Sequence, residues 1–79
     1  MENKQKIILY LAKNNESFTL HELSKLVKIP YTSFYRTIKE MEGIIKIQEK
    51  GKSKLISILW NEITQAYLTI ASYEEKKIS

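Results

Sequence analysis

The sequence has no cysteine, one histidine, one proline and two glycines, and all nine of its acidic residues are glutamate. Without cysteine there are no disulfides, thiolate metal sites or cysteine nucleophiles. A single imidazole, His21, and no aspartate leave the usual carboxylate-plus-imidazole metal sites almost nothing to use. There is no nucleophile and base pair and no phosphate-cradling glycine loop, so an enzyme is not expected, and neither a cofactor nor a metal is implied. No apolar run approaches the roughly 20 residues that span a bilayer. The stretch MENKQKIILYLAKNNE lacks an apolar core followed by a small-residue cleavage site. The chain reads as soluble and cytoplasmic, with no membrane partner.

What is present is a basic field in the middle of one small domain. The 79 residues suffice for one modest core, and a domain of this size buries only about 60–65% of its unfolded surface. Help from a partner chain is therefore expected. Between Ser24 and Lys54 stand eight basic residues against three acidic ones, while the flanking segments are neutral or slightly acidic. A charge surplus confined in this way suits either a lysine-rich solvated surface or a polyanionic partner, whose counterions it would release.

Along the chain, Ile7, Ile8, Leu9, Tyr10 and Leu11 make a first helix that is apolar nearly all round, so its second side needs cover. NNES breaks it. FTLHELSKLV then carries a full set of helix-start signals, with Thr19 and Glu22 as a capping box and Phe18 and Leu23 as a hydrophobic staple. In that helix Leu20, Leu23, Leu26 and Val27 are expected to face inward, and His21, Lys25 and Lys28 outward. His21 is lone and solvent-facing, and no ligand or catalytic role is expected of it. After the short KIP turn, Pro30 starts another helix, in which Phe34, Ile38 and Met41 form the buried stripe and Gly43 marks the end. Thr32, Arg36 and Lys39 lie opposite that stripe, with Ser33 and Tyr35 on the flanks. Two short helices joined by a tight turn, the second with a cationic outer face, describe a helix-turn-helix.

Past Gly43 the period shortens to two. IIKIQEK and KLISIL, separated by GKS, read as a β-hairpin in which Ile45, Ile47, Ile56 and Ile58 cover the helices. Lys50, Lys52 and Lys54 surround Gly51 at its tip, where they fit either a solvated turn or a phosphate-touching wing. From Trp60 to Lys77 the spacing is helical again. Trp60, Ile63, Ala66, Tyr67, Ile70 and Tyr73 make one broad apolar stripe on a helix longer than a lid requires. Together with Leu9 and Tyr10 of the first helix, this stripe is the expected dimer interface.

The order helix, FTLHELSKLVKIPYTSFYRTIKEMEG, strand, KGKS, strand, long helix resembles the winged helix-turn-helix family. It is most similar to small MarR-like or GntR-like regulators and to short archaeal and archaeal-virus proteins of that shape. The resemblance covers Phe18 to Leu59. It implies an α+β, mostly helical fold, with three helices, a two-stranded wing and a long C-terminal helix. The domain would span residues 1–59 and the dimerisation helix residues 60–79. The short MEGII link and Pro30 at the helix start depart from the family pattern and bear on the entry angle of the recognition helix.

Under this resemblance the outer face of IPYTSFYRTIKE enters the major groove of double-stranded DNA. Arg36 would make a bidentate contact to guanine, and Thr32, Ser33 and Tyr35 would touch base edges or a thymine methyl. Tyr31 serves the groove or the core. Lys25, Lys28 and Lys39 would pair with phosphates, and Lys50, Gly51, Lys52 and Lys54 would follow the adjacent minor groove. The expected function is a homodimeric, nucleoid-associated transcription regulator, most simply a repressor, acting on an inverted repeat. Nonspecific nucleic-acid binding and a protein-interaction module remain as alternatives.

Overall fold

The computed structural model describes residues 2–78. The elements follow as α1 (Asn3–Lys13), β1 (Phe18–Thr19), α2 (Leu20–Leu26), α3 (Tyr31–Glu40), β2 (Ile45–Lys50), β3 (Ser53–Ile58) and α4 (Glu62–Ile78). At the start of α1 the Gln5 side chain accepts a hydrogen bond from the Glu2 backbone N–H at 3.1 Å. At its end the backbone and side-chain amides of Asn14 both donate to the Tyr10 carbonyl. Ile7, Ile8, Leu9 and Leu11 are all buried, because α1 packs against α3, β3 and α4. Its second side is thus covered from within the chain. Leu9, expected at a dimer interface, is only 7% exposed and belongs to the core. Tyr10 is half-buried and sits edge-on to Phe18, with 5.7 Å between ring centroids.

The helix-turn-helix follows from its local chemistry. Thr19 Oγ1 accepts from the Glu22 N–H at 3.2 Å and caps α2. The expected box is half-formed, since among the described residues no reciprocal bond from the Glu22 carboxylate accompanies it. At the other end the Lys28 N–H reaches the Lys25 carbonyl, and the Ile29 N–H reaches back to that of Ser24. This pair of bonds is a Schellman motif, and it places Lys28 at the left-handed position with φ 58°. Ile29 is buried just beyond it. Leu26, expected to face inward, is 44% exposed. It is the last helical residue, and the turn that follows lets Val27 pack against the core in its place. Pro30 then stands at the N-cap of α3 with no side-chain bond, and its carbonyl accepts the Phe34 N–H at 2.8 Å.

A left-handed conformation costs a residue with a Cβ roughly 1–2 kcal/mol, part of which glycine gives back as unfolded-state entropy. Lys28→Gly is therefore expected to stabilise the domain by up to about 1 kcal/mol. Urea unfolding should show a higher midpoint at unchanged slope.

The three strands form one antiparallel sheet in the order β1-β3-β2. The two-residue β1 was not expected from the sequence. It pairs Phe18 with Ile56 and Thr19 with Leu55, which fastens the start of α2 to the hairpin. β2 and β3 pair from Ile45–Ile58 out to Lys50–Ser53, leaving Gly51 and Lys52 as a two-residue turn. Gly51 has φ 66°, and no positive φ occurs at Lys52, as in a type II′ turn. Ile45, Ile56 and Ile58 are buried as the alternation predicts, but Ile47 is 49% exposed. It has the inward register, opposite Ile56, yet lies closer to the tip, where the helices no longer cover the hairpin.

The expected helix start at Trp60 is corrected to Glu62. The Asn61 side chain accepts from the Thr64 N–H at 2.8 Å and caps α4. Its amide donates to the Gly43 carbonyl at 2.8 Å, tying this cap to the turn after α3. Thr64 Oγ1 donates to the Leu59 carbonyl. Facing inward, α4 presents Thr64 and Ala71, both fully buried, with Tyr67 and Leu68 partly buried beside them. Lys13 Nζ meets Glu75 Oε2 at 3.0 Å and closes the α1–α4 contact. The larger apolar residues Ile63, Ile70 and Tyr73 face outward and are 60–68% exposed. Ser79 lies outside the described residues.

Candidate nucleic-acid interface

The buried stripe of Phe34, Ile38 and Met41 fixes the rotation of α3 about its own axis. Thr32, Ser33, Arg36 and Lys39 are in consequence all exposed, and Tyr35 is half-buried at the edge. Tyr31, for which both groove and core were open, stands at the boundary with 37% of its surface exposed. The Ser33 carbonyl accepts the Thr37 hydroxyl at 2.9 Å, and Ser33 itself is exposed. Lys4 pairs with Glu40, and Lys13 with Glu75. Among the described residues Arg36, Lys25, Lys28 and the hairpin lysines have no carboxylate partner. Glu40, the acidic residue at the end of α3, is held by Lys4 at 3.3 Å.

A feature that the sequence reading passed over crosses this surface. The His21 ring of α2 lies flat on the Tyr31 ring of α3, with centroids 4.2 Å apart and planes 8° from parallel. Tyr31 is followed at 6.2 Å by Tyr35, and the Lys39 ammonium sits 4.7 Å above the Tyr35 ring. Tyr31, Tyr35 and Lys39 are spaced i, i+4 and i+8, so they share one row of α3. The row binds α2 to α3 and holds Lys39 on the outer face, one turn from Arg36. The i+4 spacing of the two tyrosines was visible in the sequence. The contact with His21 was not, because it depends on how the two helices cross.

On the wing, register separates residues that the sequence groups together. Cross-strand partners share a face of the sheet. Lys54 is opposite Glu49, on the side that carries Ile47 and Ile56. Lys50 is opposite Ser53, on the other side with Lys46, and Lys52 occupies the turn. The expected wing cluster of Lys50, Gly51, Lys52 and Lys54 thus presents charge from both faces and the tip. Between α3 and the wing, Ile38, Lys39, Glu42, Ile45 and Ile47 line a shallow hollow. The remaining expected interface residues lie on α4 or just before it. Ala66 is exposed with Ile63, Ile70 and Tyr73, Trp60 is 48% exposed, and Tyr67 is half-buried. Among the described residues no helix is long and apolar enough to cross a membrane, and no three metal-ligating side chains gather.

A helix-turn-helix followed by a two-stranded wing defines the winged helix-turn-helix fold, and this chain has it. The chain is similar, at a TM-score of 0.71 and 13% identity, to the adhesin competence repressor AdcR of Streptococcus pyogenes, over 99% of this chain and 60% of that one. MepR, a transcription regulator of the Staphylococcus aureus multidrug efflux pump MepA, matches with a TM-score of 0.69 and 15% identity over 99% of this chain and 63% of its own. The protein AF1382 of Archaeoglobus fulgidus matches at 0.71 and 16% over the whole chain and 92% of its own length. The chain thus spans less than two thirds of the two bacterial proteins and nearly all of the archaeal one. No protein-family model matches the sequence, and no curated protein aligns with it significantly.

Proposed function

We propose that this chain binds double-stranded DNA through α3 and the wing and regulates transcription as a homodimer. The observation that carries the reading is the outer face of α3, where Arg36 and its neighbours are exposed with no carboxylate partner among the described residues. Buried or paired cations would already be satisfied, whereas these are free to replace counterions along a phosphate backbone. Arg36 reads guanine through its planar fork, Thr32, Ser33 and Tyr35 touch neighbouring base edges, and Lys25, Lys28 and Lys39 take phosphates. Lys50, Lys52 and Lys54 follow the adjacent minor groove. Two copies joined through the outer face of α4 set two recognition helices in successive major grooves about 34 Å apart, which asks for an inverted repeat. Occluding a promoter then suffices for repression, the activity named for AdcR among the structures of this shape.

Fluorescence anisotropy with a 30-base-pair duplex at a series of salt concentrations tests the reading. With about six phosphates neutralised by each chain, log affinity should fall with log salt at a slope near −5 per bound chain. Replacing Lys50 and Lys52 by alanine should flatten that slope by about two. Arg36→Ala should cost about 1–3 kcal/mol on a selected site and much less on random duplex. Equal affinity for selected and random duplexes would point to nonspecific packaging. No binding at low salt overturns the proposal and leaves the same face for a protein partner.

A further inference from the structure

We infer that His21 belongs to the DNA-contacting surface, as a phosphate contact whose strength follows the charge of its ring. The inference rests on the DNA-binding reading above. His21 is exposed, and its imidazole is held flat on Tyr31 rather than free to turn in solvent. The stack sets the ring plane of an exposed side chain beside the first turn of α3. On its own helix the next exposed cation, Lys25, stands one turn further along. At the far end of the tyrosine row Lys39 is fixed in a similar way, over the Tyr35 ring. The row therefore runs from an imidazole to an ammonium through ring contacts that restrict its side chains, which lowers the ordering cost of binding.

The surroundings of His21 allow its charge to act on a ligand. The elements packed against α2 are α3, β1 and β3. α3 contributes Tyr31, Tyr35, Arg36, Lys39 and Glu40 as titratable or charged groups, β3 contributes Lys54, and β1 contributes none. On α2 itself Glu22 and Lys25 are the charged residues. Glu40 is paired with Lys4, and among the described residues no carboxylate pairs with His21. A proton on the ring gains a cation–π contact with Tyr31 and otherwise adds to a field already positive. The counter-charge is to come from a phosphate. Histidine is the side chain that changes charge between about pH 5 and 8, and this sequence has one histidine and no cysteine.

The test is duplex affinity by anisotropy at pH 5.5 and pH 7.0, at several salt concentrations, for the wild type, His21→Phe and His21→Gln. The phenylalanine keeps the stack without a charge, and the glutamine keeps a polar group should the phenylalanine disturb folding, which circular dichroism reports. The wild type should bind a few-fold more tightly at pH 5.5, the size of an exposed ion pair, with a salt slope steeper by about 0.9. Both variants should lose the pH response and the added salt slope. A flat wild-type response, or a response that survives in the variants, overturns the assignment while DNA binding itself stands. No binding at either pH overturns both.

Discussion

Phe34→Ala is expected to cost about 3–5 kcal/mol, the usual range for deleting a buried aromatic ring. Phe34 is fully buried and heads the largest side chains in the core, at the start of the α3 stripe that continues with Ile38 and Met41. A natural domain has roughly 0.05–0.15 kcal/mol of stability per residue, so a chain this short has few kilocalories to lose. The variant should be largely unfolded at 37 °C, with loss of both helical circular dichroism and DNA binding. Ile47→Ala removes an aliphatic side chain of similar chemistry from a half-exposed position and should cost less than about 1 kcal/mol. Urea titration of the two variants checks the contrast. Comparable losses would mean that α3 is not anchored through Phe34.

The same contrast shows how far the sequence could be read. Elements whose cause is local were legible. Thr19 caps α2 from three residues away, Pro30 presets the start of α3, and Phe34, Ile38 and Met41 repeat at helical spacing, so boundaries and faces followed from neighbours in the chain. Features that depend on distant partners were not. β1 is two residues long and has no period to detect; it exists because β3 lies alongside it. Ile47 obeys the strand alternation and is exposed because the helices end below it. On α4 the outward stripe was taken from spacing, but Thr64 and Ala71, the small residues that face the core, were not singled out. Close approach of α4 to α1 favours small side chains between them, which composition alone does not announce. In the candidate interface, Arg36 and its neighbours followed from the rotation of α3, but the His21–Tyr31 stack needed the crossing of two helices.

The outward row on α4 leads to the second large effect. Ile63, Ala66, Ile70 and Tyr73 recur at intervals of three, four and three residues, the spacing of a coiled-coil seam, and are exposed on the side away from Thr64 and Ala71. A monomer rarely leaves a contiguous apolar row of this kind in water, and a second copy packing helix against helix would cover it on both partners at once. Replacing Ile63 and Ile70 together by glutamate places like charges across that seam and buries none in the monomer core, since both side chains are mostly exposed. The variant should keep its helical circular dichroism, with a Tm that no longer rises with protein concentration. Light scattering should show the wild type as a dimer and the variant as a monomer. On a duplex with two half-sites the variant should bind about 10²–10⁴-fold more weakly, because the second contact is no longer intramolecular. On a single half-site the two proteins should differ little. A monomeric wild type, or a variant that remains dimeric, would move the interface elsewhere; equal affinities on the two-site duplex would mean that each chain binds DNA alone.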